Sequence, residues 1–398
     1  MKRQRPKTPT NLSSSSNGVP KIPPSTPNTI TTQTPTTKHP ISIISSFKKT
    51  KRTLFSKPLK EETLIWEPLN LSKSELYLPL TFPTGQTFRW KQTGPSQYTG
   101  VVKSHLLSLK QLENDVSYAF HQTTDECGAR LAIADYLNVG ISLNEMWGVF
   151  GERDSRFADL AMYLGGARVL RQDPLECLMQ FLCTSNNNIG RITKMVDFIS
   201  SLGEYLGSVE GFEFHEFPSL DRLSLVSEEE LRVAGFGYRA KYIVGTVKAL
   251  QSKPGGGAEW LTSLRELDLQ EAVEALCTFP GVGPKVAACV ALFSLDQHNA
   301  VPVDTHVWQL ATQYLIPELA GARLTPKLCN RVAEAFVTKY GKYAGWAQTL
   351  LFIAELPSQK ALLPPHLGTV KGIKSLRQKD GESGNLVQIQ VTNNFLLL

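Results

Sequence analysis

Several residue types and patterns are scarce in this 398-residue chain. It has only six cysteines, most of them inside apolar helical patterns, which favours reduced thiols over a disulfide framework. Every apolar run is shorter than the roughly 20 residues that a membrane-spanning helix needs. Histidine, cysteine and carboxylate residues form no cluster with the spacing of metal ligands. We therefore expect no metal, no other cofactor and no membrane partner.

Acidic residues are absent from the first 60 positions, which hold 12 Lys and Arg. The whole chain has 42 basic and 36 acidic residues, so the remainder holds 42 − 12 = 30 basic and 36 acidic residues, a net charge of −6. This separation predicts an N-terminal arm that attracts polyanions in a salt-sensitive way. The remainder has no such general attraction and must bind polyanions through local patches and backbone N–H groups.

The arm and the C-terminal tail are both expected to lie outside the globular part. Residues 1–57 are rich in Ser, Thr and Pro and poor in large apolar residues, which predicts a disordered basic arm. Basic clusters at residues 2–7 and 48–52 resemble nuclear-import signals, with an organelle transit peptide as the alternative. Residues 357–398 lose helical periodicity and are interpreted as a tail without chemistry.

The run Pro280-Gly281-Val282-Gly283-Pro284 separates two segments with the apolar period of amphipathic helices. Asp268 followed by Glu271 has capping-box spacing and marks the start of the first helix. Glycines permit positive φ, and the second proline suits the first turn of the next helix. The pattern predicts a helix, a tight hairpin and a helix, with N–H groups near Gly281 and Gly283 available to one phosphate. An ordinary helical corner with a glycine cap is the alternative.

Two ionisable residues follow this hairpin and are candidates for a catalytic role. Lys285 lies in the first turn of the second helix, where the helix dipole disfavours a cation and so favours the free amine. Asp304 comes 19 residues later and opens another helix. A free amine is a nucleophile, and a carboxylate stabilises positive charge. Taken singly, a solvated lysine and a helix-capping aspartate are the alternatives.

The sequence pattern changes character near residue 165. Short runs between turn residues predict strands at residues 76–80, 87–91, 98–102 and 106–109, and a helix at 129–137. Further on nearly every segment has helical period, and Asp173 before Pro174 predicts a capped helix start, as does Ser227. We therefore expect an α+β unit over residues 58–165 and a mostly α-helical unit over residues 166–356.

Taken together and in this order, these motifs resemble the eukaryotic 8-oxoguanine DNA glycosylases of the helix-hairpin-helix DNA glycosylase/AP lyase family. The specific part is residues 280–287 followed by residues 300–308, and the resemblance covers roughly residues 59–356. It implies a TBP-like N-terminal domain, a helix-hairpin-helix glycosylase domain, and a monomer acting on double-stranded DNA that contains oxidised guanine. The four-cysteine iron–sulfur cluster of some relatives is excluded, because only Cys329 follows Cys289.

The resemblance also implies a pocket for the damaged base. 8-Oxoguanine has a hydrogen-bond donor at N7 where guanine has an acceptor, so a single carbonyl at Gly85 distinguishes them. Gln348 offers a donor and an acceptor to the Watson–Crick edge, and Phe352 stacks on the base, which is worth about 1–3 kcal/mol. Cys289 lies on the opposite side of the base. Without the resemblance, a turn glycine and core side chains are the more common interpretations.

Further roles around the lesion follow from the same resemblance. Flipping a base out of the helix leaves a gap, which the ring of Tyr238 fills. The orphaned cytosine presents two acceptors, N3 and O2, and is read by Asn186, Arg191 and Arg239. His306 contacts a phosphate near the lesion. On the residues alone, each arginine would more often form a surface salt bridge.

The implied reaction uses both ionisable residues. Asp304 stabilises the positive charge that develops on the sugar, while Lys285 attacks C1′, expels the base and forms a Schiff base that permits β-elimination. We therefore expect a bifunctional DNA N-glycosylase and AP lyase. The alternatives are a monofunctional glycosylase for another damaged base, which leaves Lys285 unexplained, and a non-catalytic helix-hairpin-helix DNA-binding protein, which explains neither residue.

Overall fold

An antiparallel sheet of five strands opens the described part of the chain, with the order β1-β5-β4-β3-β2. The computed structural model describes residues 64–367. The strands are β1 (Glu67–Pro68), β2 (Lys91–Gly94), β3 (Gln97–Val102), β4 (His105–Gln111) and β5 (Val116–Gln122). The sheet shares its main core with helix α2 (Glu126–Tyr136), through residues such as Leu107, Leu109 and Ile133.

The rest of residues 64–367 is mostly helical, as the second predicted unit requires. It consists of α3 (Leu143–Arg153), α4 (Ser155–Tyr163), α5 (Pro174–Leu182), α6 (Ile189–Ser200), α7 (Leu220–Ser224), α8 (Glu228–Val233), α9 (Arg239–Gln251), α10 (Ala258–Ser263), α11 (Leu269–Cys277), α12 (Pro284–Ser294), α13 (Thr305–Tyr314), α14 (Pro326–Tyr340), α15 (Ala344–Glu355) and α16 (Pro357–Lys360). Helix α5 is buried at every position and packs against α12, so it forms the centre of the helical core.

Two short elements complete the arrangement. A hairpin of β6 (Tyr205–Val209) and β7 (Phe212–His215) packs on the sheet through Leu206 and Phe214, which contact Val101 and Leu106. A 3₁₀ turn at Phe82–Thr84 follows helix α1 (Leu78–Thr81) and leads to Gly85. The predicted fold class, an α+β part followed by a mostly helical part, is confirmed.

The first two predicted strands are wrong. Leu76, Leu78 and Leu80 alternate as in a strand and are all buried, but helix α1 begins at Leu78 with Pro79 in its first turn, and Leu76 lies in the loop before it. Residues 87–90 form a loop, because the Phe88 N–H and the Arg89 guanidinium bond to side chains of α5 rather than to a neighbouring strand. The strands predicted at 98–102 and 106–109 and the helix at 129–137 are confirmed.

Several predictions fall wholly or partly outside residues 64–367. The basic arm at 1–57, its two basic clusters and the tail beyond residue 367 are not described. The boundaries at residues 58, 165 and 356 stay predictions; helices α3 and α4, which precede residue 165, pack in the helical core. All six cysteines are free. None of the helices in residues 64–367 is long and apolar enough to cross a bilayer.

Candidate active site

The predicted helix-hairpin-helix is present as α11, a turn and α12. Asp268 and Glu271 form the reciprocal hydrogen bonds of a capping box at the start of α11. Gly281 has φ of +79°, and a Cβ there would lie 2.5 Å from the ring of Tyr242, so only glycine fits. The Thr246 hydroxyl donates to the Pro280 carbonyl over 3.2 Å, which holds the turn against α9.

The fold requires glycine at position 281, but it does not require glycine at position 283. It is the N-cap of α12 with φ of −98°, a value that any residue adopts, and a Cβ there would meet no atom within 4 Å. No side chain caps the first N–H groups of α12. The turn therefore presents uncapped N–H groups to open space, which is the arrangement that binds a phosphate. The phosphate role of Gly281 and Gly283 stays a prediction.

Lys285 and Asp304 line one pocket together with all four residues predicted for the base. Its cavity volume is about 60 Å³, below the roughly 300–1,000 Å³ of sites that enclose a small molecule. The predicted residues that it gathers come from the turn after α1, from α12, from the start of α13 and from α15: Gly85, Lys285, Cys289, Asp304, Gln348 and Phe352. Chain segments more than 260 positions apart thus meet at one cavity.

Asp304 is positioned by its own helix. It is the N-cap of α13, and its Oδ1 accepts hydrogen bonds from the N–H groups of His306 at 2.9 Å and Val307 at 2.8 Å. Asp304 is only 7% exposed and lines the pocket. Among residues 64–367, no hydrogen bond is made to Oδ2, so one carboxylate oxygen fixes the side chain and the other is available to the pocket.

Lys285 projects from the first turn of α12 toward apolar and sulfur-containing neighbours. Its Nζ lies 5.9 Å from the centroid of the Phe181 ring, which stacks on Phe293 at 5.6 Å. One turn later, burial raises the pKa of the Cys289 thiol to about 11, although the nearby Lys285 opposes the shift. Cys289 is therefore a neutral thiol at physiological pH. It contributes a dry wall beside the lysine rather than a second nucleophile.

Gly85 closes the 3₁₀ turn with φ of +88°, a value that favours glycine. A Cβ there would meet no atom within 4 Å, so the backbone of Gly85 faces unoccupied space. Within the described residues, its carbonyl accepts no hydrogen bond. The predicted role of this carbonyl as the contact to N7 remains a prediction, and the conformation suits it.

Gln348 and Phe352 lie one turn apart on α15, as their spacing predicts. Gln348 is 6% exposed, and in the part of the chain that the structure describes its amide makes no hydrogen bond. The Phe352 ring meets the His306 ring edge-to-face at 6.3 Å. At the start of α15, Gly345 packs directly against the loop that follows α12, where a Cβ would lie 2.3 Å from the Ala300 carbonyl oxygen.

The residues predicted to fill the gap and to read the opposite cytosine lie outside this pocket, on the turn that contains Asn186 and at the starts of α6 and α9. Tyr238 is 45% exposed, and its hydroxyl donates to the Ser185 carbonyl over 3.0 Å. Arg191 is exposed and donates to the Gly235 carbonyl over 3.0 Å. Asn186 is exposed as well, with φ of +46°. An exposed aromatic ring beside exposed polar groups suits the predicted insertion into a duplex.

Arg239 differs from its predicted partners because it is only 2% exposed. Its guanidinium donates to the carbonyls of Ser185 and Asn186, the latter over 2.8 Å, and lies 4.5 Å from the Tyr238 ring. It joins the turn that contains Asn186 to the start of α9, next to Tyr238. Its predicted direct contact with cytosine would require a donor that these carbonyls do not occupy, and it stays a prediction.

Sequence reasoning missed the other residues of the pocket wall. They are Thr84, Gln86, Phe181, Thr184, Phe293, Pro302, Val307 and Thr349. Most are ordinary core residue types, for which no sequence signal exists. Gln86 is different, because its buried side-chain amide donates to the carbonyls of Thr81 and Arg168 and accepts from the Leu170 N–H, while its backbone carbonyl accepts from Gln172. Gln180 interrupts an apolar helix, the same signal that singled out Gln348.

Comparison with known proteins gives concordant matches. The family model for the 8-oxoguanine DNA glycosylase N-terminal domain matches residues 68–178. The chain is 72% identical over 300 residues to the N-glycosylase/DNA lyase OGG1 of Arabidopsis thaliana, covering 75% of this chain and 82% of the relative. It is 33% identical over 325 residues to the N-glycosylase/DNA lyase of Saccharomyces cerevisiae, covering 72% and 85%.

A solved structure extends the match to the fold. The 8-oxoguanine glycosylase/lyase of Clostridium acetobutylicum, in complex with double-stranded DNA containing cytosine opposite 8-oxoguanine, has a TM-score of 0.63 and 27% identity to the chain. The match covers 75% of this chain and 99% of that one. The helix-hairpin-helix, the pocket with Lys285 and Asp304, and these relatives agree, and the chain belongs to the 8-oxoguanine DNA glycosylase family of N-glycosylase/DNA lyases.

Proposed function

We propose that the chain is a base-excision-repair enzyme that removes 8-oxoguanine from opposite cytosine in duplex DNA and then nicks the strand at the abasic sugar. The glycosylase step breaks the N-glycosidic bond, and the lyase step breaks the bond to the 3′ phosphate. Both steps belong to one active site, the pocket that Lys285 and Asp304 share. No cofactor is part of the proposal, because an amine and a carboxylate are sufficient for both steps.

The mechanism begins with the free amine of Lys285 attacking C1′ of the flipped nucleotide. The bonding electron pair leaves with the base, which takes up a proton, and the carboxylate of Asp304 stabilises the positive charge on the sugar. The sugar ring opens as the C1′–N bond becomes a Schiff base. Loss of a proton from C2′ then expels the 3′ phosphate, and water releases Lys285 from the unsaturated sugar.

One observation carries this proposal more than any other. Lys285, Asp304, Gly85, Gln348 and Phe352 come from four separate parts of the chain and line the same cavity. Among residues 64–367, Oδ2 of Asp304 and the side-chain amide of Gln348 make no hydrogen bond, and a lysine with only a structural role has no reason to share a cavity with them. A nucleophile, a charge stabiliser and a base-binding wall do require that proximity.

The decisive experiment is borohydride trapping on a duplex with 8-oxoguanine opposite cytosine. The native chain should form a covalent protein–DNA adduct, because borohydride reduces the Schiff base, and Lys285→Ala should form none. Base release without an adduct would instead indicate a monofunctional glycosylase. Binding to undamaged duplex with neither release nor adduct would indicate a non-catalytic DNA-binding protein.

Lys327→Ala is the matched control for loss of a lysine. Lys327 is exposed in the first turn of α14, and it does not line the pocket. This variant should form the adduct at the native rate. Thermal unfolding of Lys285→Ala should match that of the native chain, so that a missing adduct reports chemistry rather than folding.

We also propose that the enzyme acts as a monomer on double-stranded DNA. The predicted DNA-contacting groups, which are the hairpin, the pocket mouth and the turns carrying Tyr238 and Arg191, all come from a single chain. Sedimentation of the enzyme with and without a damaged duplex tests this proposal. A mass that corresponds to two chains on one lesion would contradict it.

Nuclear localisation is a further proposal, and it rests on sequence alone. The basic clusters at residues 2–7 and 48–52 lie outside the described residues. A fluorescent fusion of the full chain should accumulate in nuclei, and replacement of the basic residues of both clusters by glutamine should abolish that accumulation. Accumulation in an organelle, or nuclear accumulation that survives the replacement, would contradict the proposal.

A further inference from the structure

Two buried glutamines hold the backbone on the C-terminal side of Gly85. The Gln172 amide donates to the carbonyl of Gln86 over 2.7 Å, and the N–H of Phe88 donates to the Gln180 amide oxygen over 2.8 Å. Gln172 and Gln180 are both fully buried from solvent. Neither lines the pocket, so neither touches a base bound there.

The two glutamine side chains are also hydrogen-bonded to each other, and only one orientation of each amide satisfies all of the hydrogen bonds. The Phe88 N–H is an obligate donor, so the Gln180 oxygen must accept and its nitrogen must donate. That nitrogen lies 3.1 Å from the Gln172 oxygen and 3.2 Å from Glu176 Oε1. The Gln172 nitrogen is thereby left to donate to the Gln86 carbonyl. The contacts are consistent throughout, which fixes both amide orientations.

This chain of hydrogen bonds connects the Gly85 turn to the two helices at the centre of the site. Gln180 belongs to α5, and the backbone N–H of Gln172 donates to the Phe293 carbonyl of α12 over 2.7 Å. Helix α12 also carries Lys285. These hydrogen bonds therefore attach the backbone beside Gly85 to α12, the helix that carries the proposed nucleophile.

We propose that Gln172 and Gln180 are positioning residues for lesion recognition: they set the place of the Gly85 carbonyl, and through it the preference for 8-oxoguanine over guanine. This inference rests on the proposed function. The two bases differ at N7 by one hydrogen, so a carbonyl discriminates between them only if it stands within hydrogen-bond distance of that atom. A displacement of about 1 Å at a reacting or recognition contact costs on the order of 100-fold in rate.

The test compares two substrates in one enzyme. Gln172→Met and Gln180→Met keep side-chain length and remove the amide, so each frees one backbone group beside Gly85. Single-turnover excision should fall by about 10- to 100-fold on 8-oxoguanine opposite cytosine. Nicking of a preformed abasic site opposite cytosine should stay within about twofold of native, because that substrate has no base to recognise.

Gln111→Met is the matched control. Gln111 also clamps backbone, since its amide oxygen accepts from the Leu78 N–H over 3.0 Å and its nitrogen donates to the Asp115 carbonyl over 3.1 Å. It lies in the sheet and does not line the pocket. It should lower thermal stability as the other two variants do, yet leave the ratio of the two activities unchanged.

A binding measurement covers the case in which a glutamine variant is too unstable for kinetics. In a Lys285→Ala background at low temperature, the ratio of Kd for a guanine duplex to Kd for an 8-oxoguanine duplex should shrink on Gln180→Met. Equal loss on both substrates, or an unchanged Kd ratio, would overturn the inference. Failure of the native chain to excise 8-oxoguanine would instead refute the proposed function.

Discussion

Asp304 uses its two carboxylate oxygens differently. Oδ1 caps α13, and Oδ2 is available to the pocket. The sequence offered helix capping and charge stabilisation as alternative interpretations of this residue, and the geometry accommodates both. Capping fixes the side chain in one orientation before any substrate binds, which suits the proposed placement of a charge near C1′. The capping role rests on a local signal, whereas the proposed charge-stabilising role came from the family resemblance.

These two roles of Asp304 are separable by substitution. Asp304→Asn keeps an N-cap oxygen and removes the charge, so we expect native-like stability and an excision rate lowered by about 100-fold or more. Asp304→Ala should lose the same activity and about 1 kcal/mol of stability as well. Single-turnover excision and urea unfolding measure the two effects. Near-native excision by Asp304→Asn would show that the negative charge is not needed.

At the scale of elements, the starts of several helices were predicted correctly, because the contacts that determine a helix start are made by residues close together in the sequence. The capping boxes at Asp268 and Ser227 and the proline at the start of α5 are all present. The glutamines that hold the Gly85 turn were missed, because their partners lie 86 and 92 positions away along the chain. Strand prediction failed at residues 76–80 because alternating leucines are buried equally well by a short helix.

In the hairpin between α11 and α12, two glycine substitutions should have different effects, one on duplex binding and the other on the stability of the fold. Gly283→Ala places a methyl in open space, so stability should be unchanged, but the methyl should obstruct a phosphate and weaken duplex binding by about tenfold, or ~1.4 kcal/mol. Gly281→Ala forces a non-glycine residue to φ of +79° against Tyr242 and should destabilise the fold by more than about 1 kcal/mol. Fluorescence anisotropy and urea unfolding distinguish the two, and native-like binding by Gly283→Ala would refute the phosphate site.

Helices α4 and α14 are joined by a carboxylate whose charge should matter for stability. Asp154 caps α4, and its Oδ2 accepts from the Tyr340 hydroxyl and lies 2.7 Å from Lys339 Nζ. Burial alone would raise the pKa of Asp154, but the hydrogen bonds from Lys339 and Tyr340 outweigh it and lower the pKa below its ordinary value. A lowered folded-state pKa contributes stability above the unfolded pKa of about 3.9, and that stability is lost as the pH falls through the folded value.

Asp154→Asn should therefore destabilise the protein by about 1–2 kcal/mol at pH 7. The difference from the native chain should shrink as the pH falls below the unfolded pKa of about 3.9, because the unfolded state binds a proton there before the folded carboxylate does. Urea unfolding across this pH range measures the difference. Asp159→Asn, on the same helix, is the control for loss of a carboxylate without contacts to Lys339 and Tyr340. A difference that stays constant down to pH 3 would mean that packing, not charge, holds the two helices.

At the scale of the whole molecule, charge is divided between two parts with different tasks. Residues 1–60 carry +12, and the remainder carries −6. A negative remainder attracts duplex DNA poorly over long distances, so we predict that recognition there depends on a few short-range groups such as the hairpin N–H groups and Arg191. We predict that residues 1–60 supply the long-range attraction that the remainder lacks. This division follows from composition alone and needs no knowledge of the fold.

Deletion of residues 1–60 should therefore separate capture from chemistry. Affinity for undamaged duplex should fall, and the slope of log K against log salt should decrease by about 0.9 for each phosphate that the arm neutralises. Single-turnover excision at saturating enzyme should be unchanged, because Lys285 and the pocket are intact. Replacing the basic residues at 48–52 by glutamine tests charge without changing length and should reproduce part of the effect. An unchanged salt slope after deletion would mean that the globular part alone carries the electrostatic attraction.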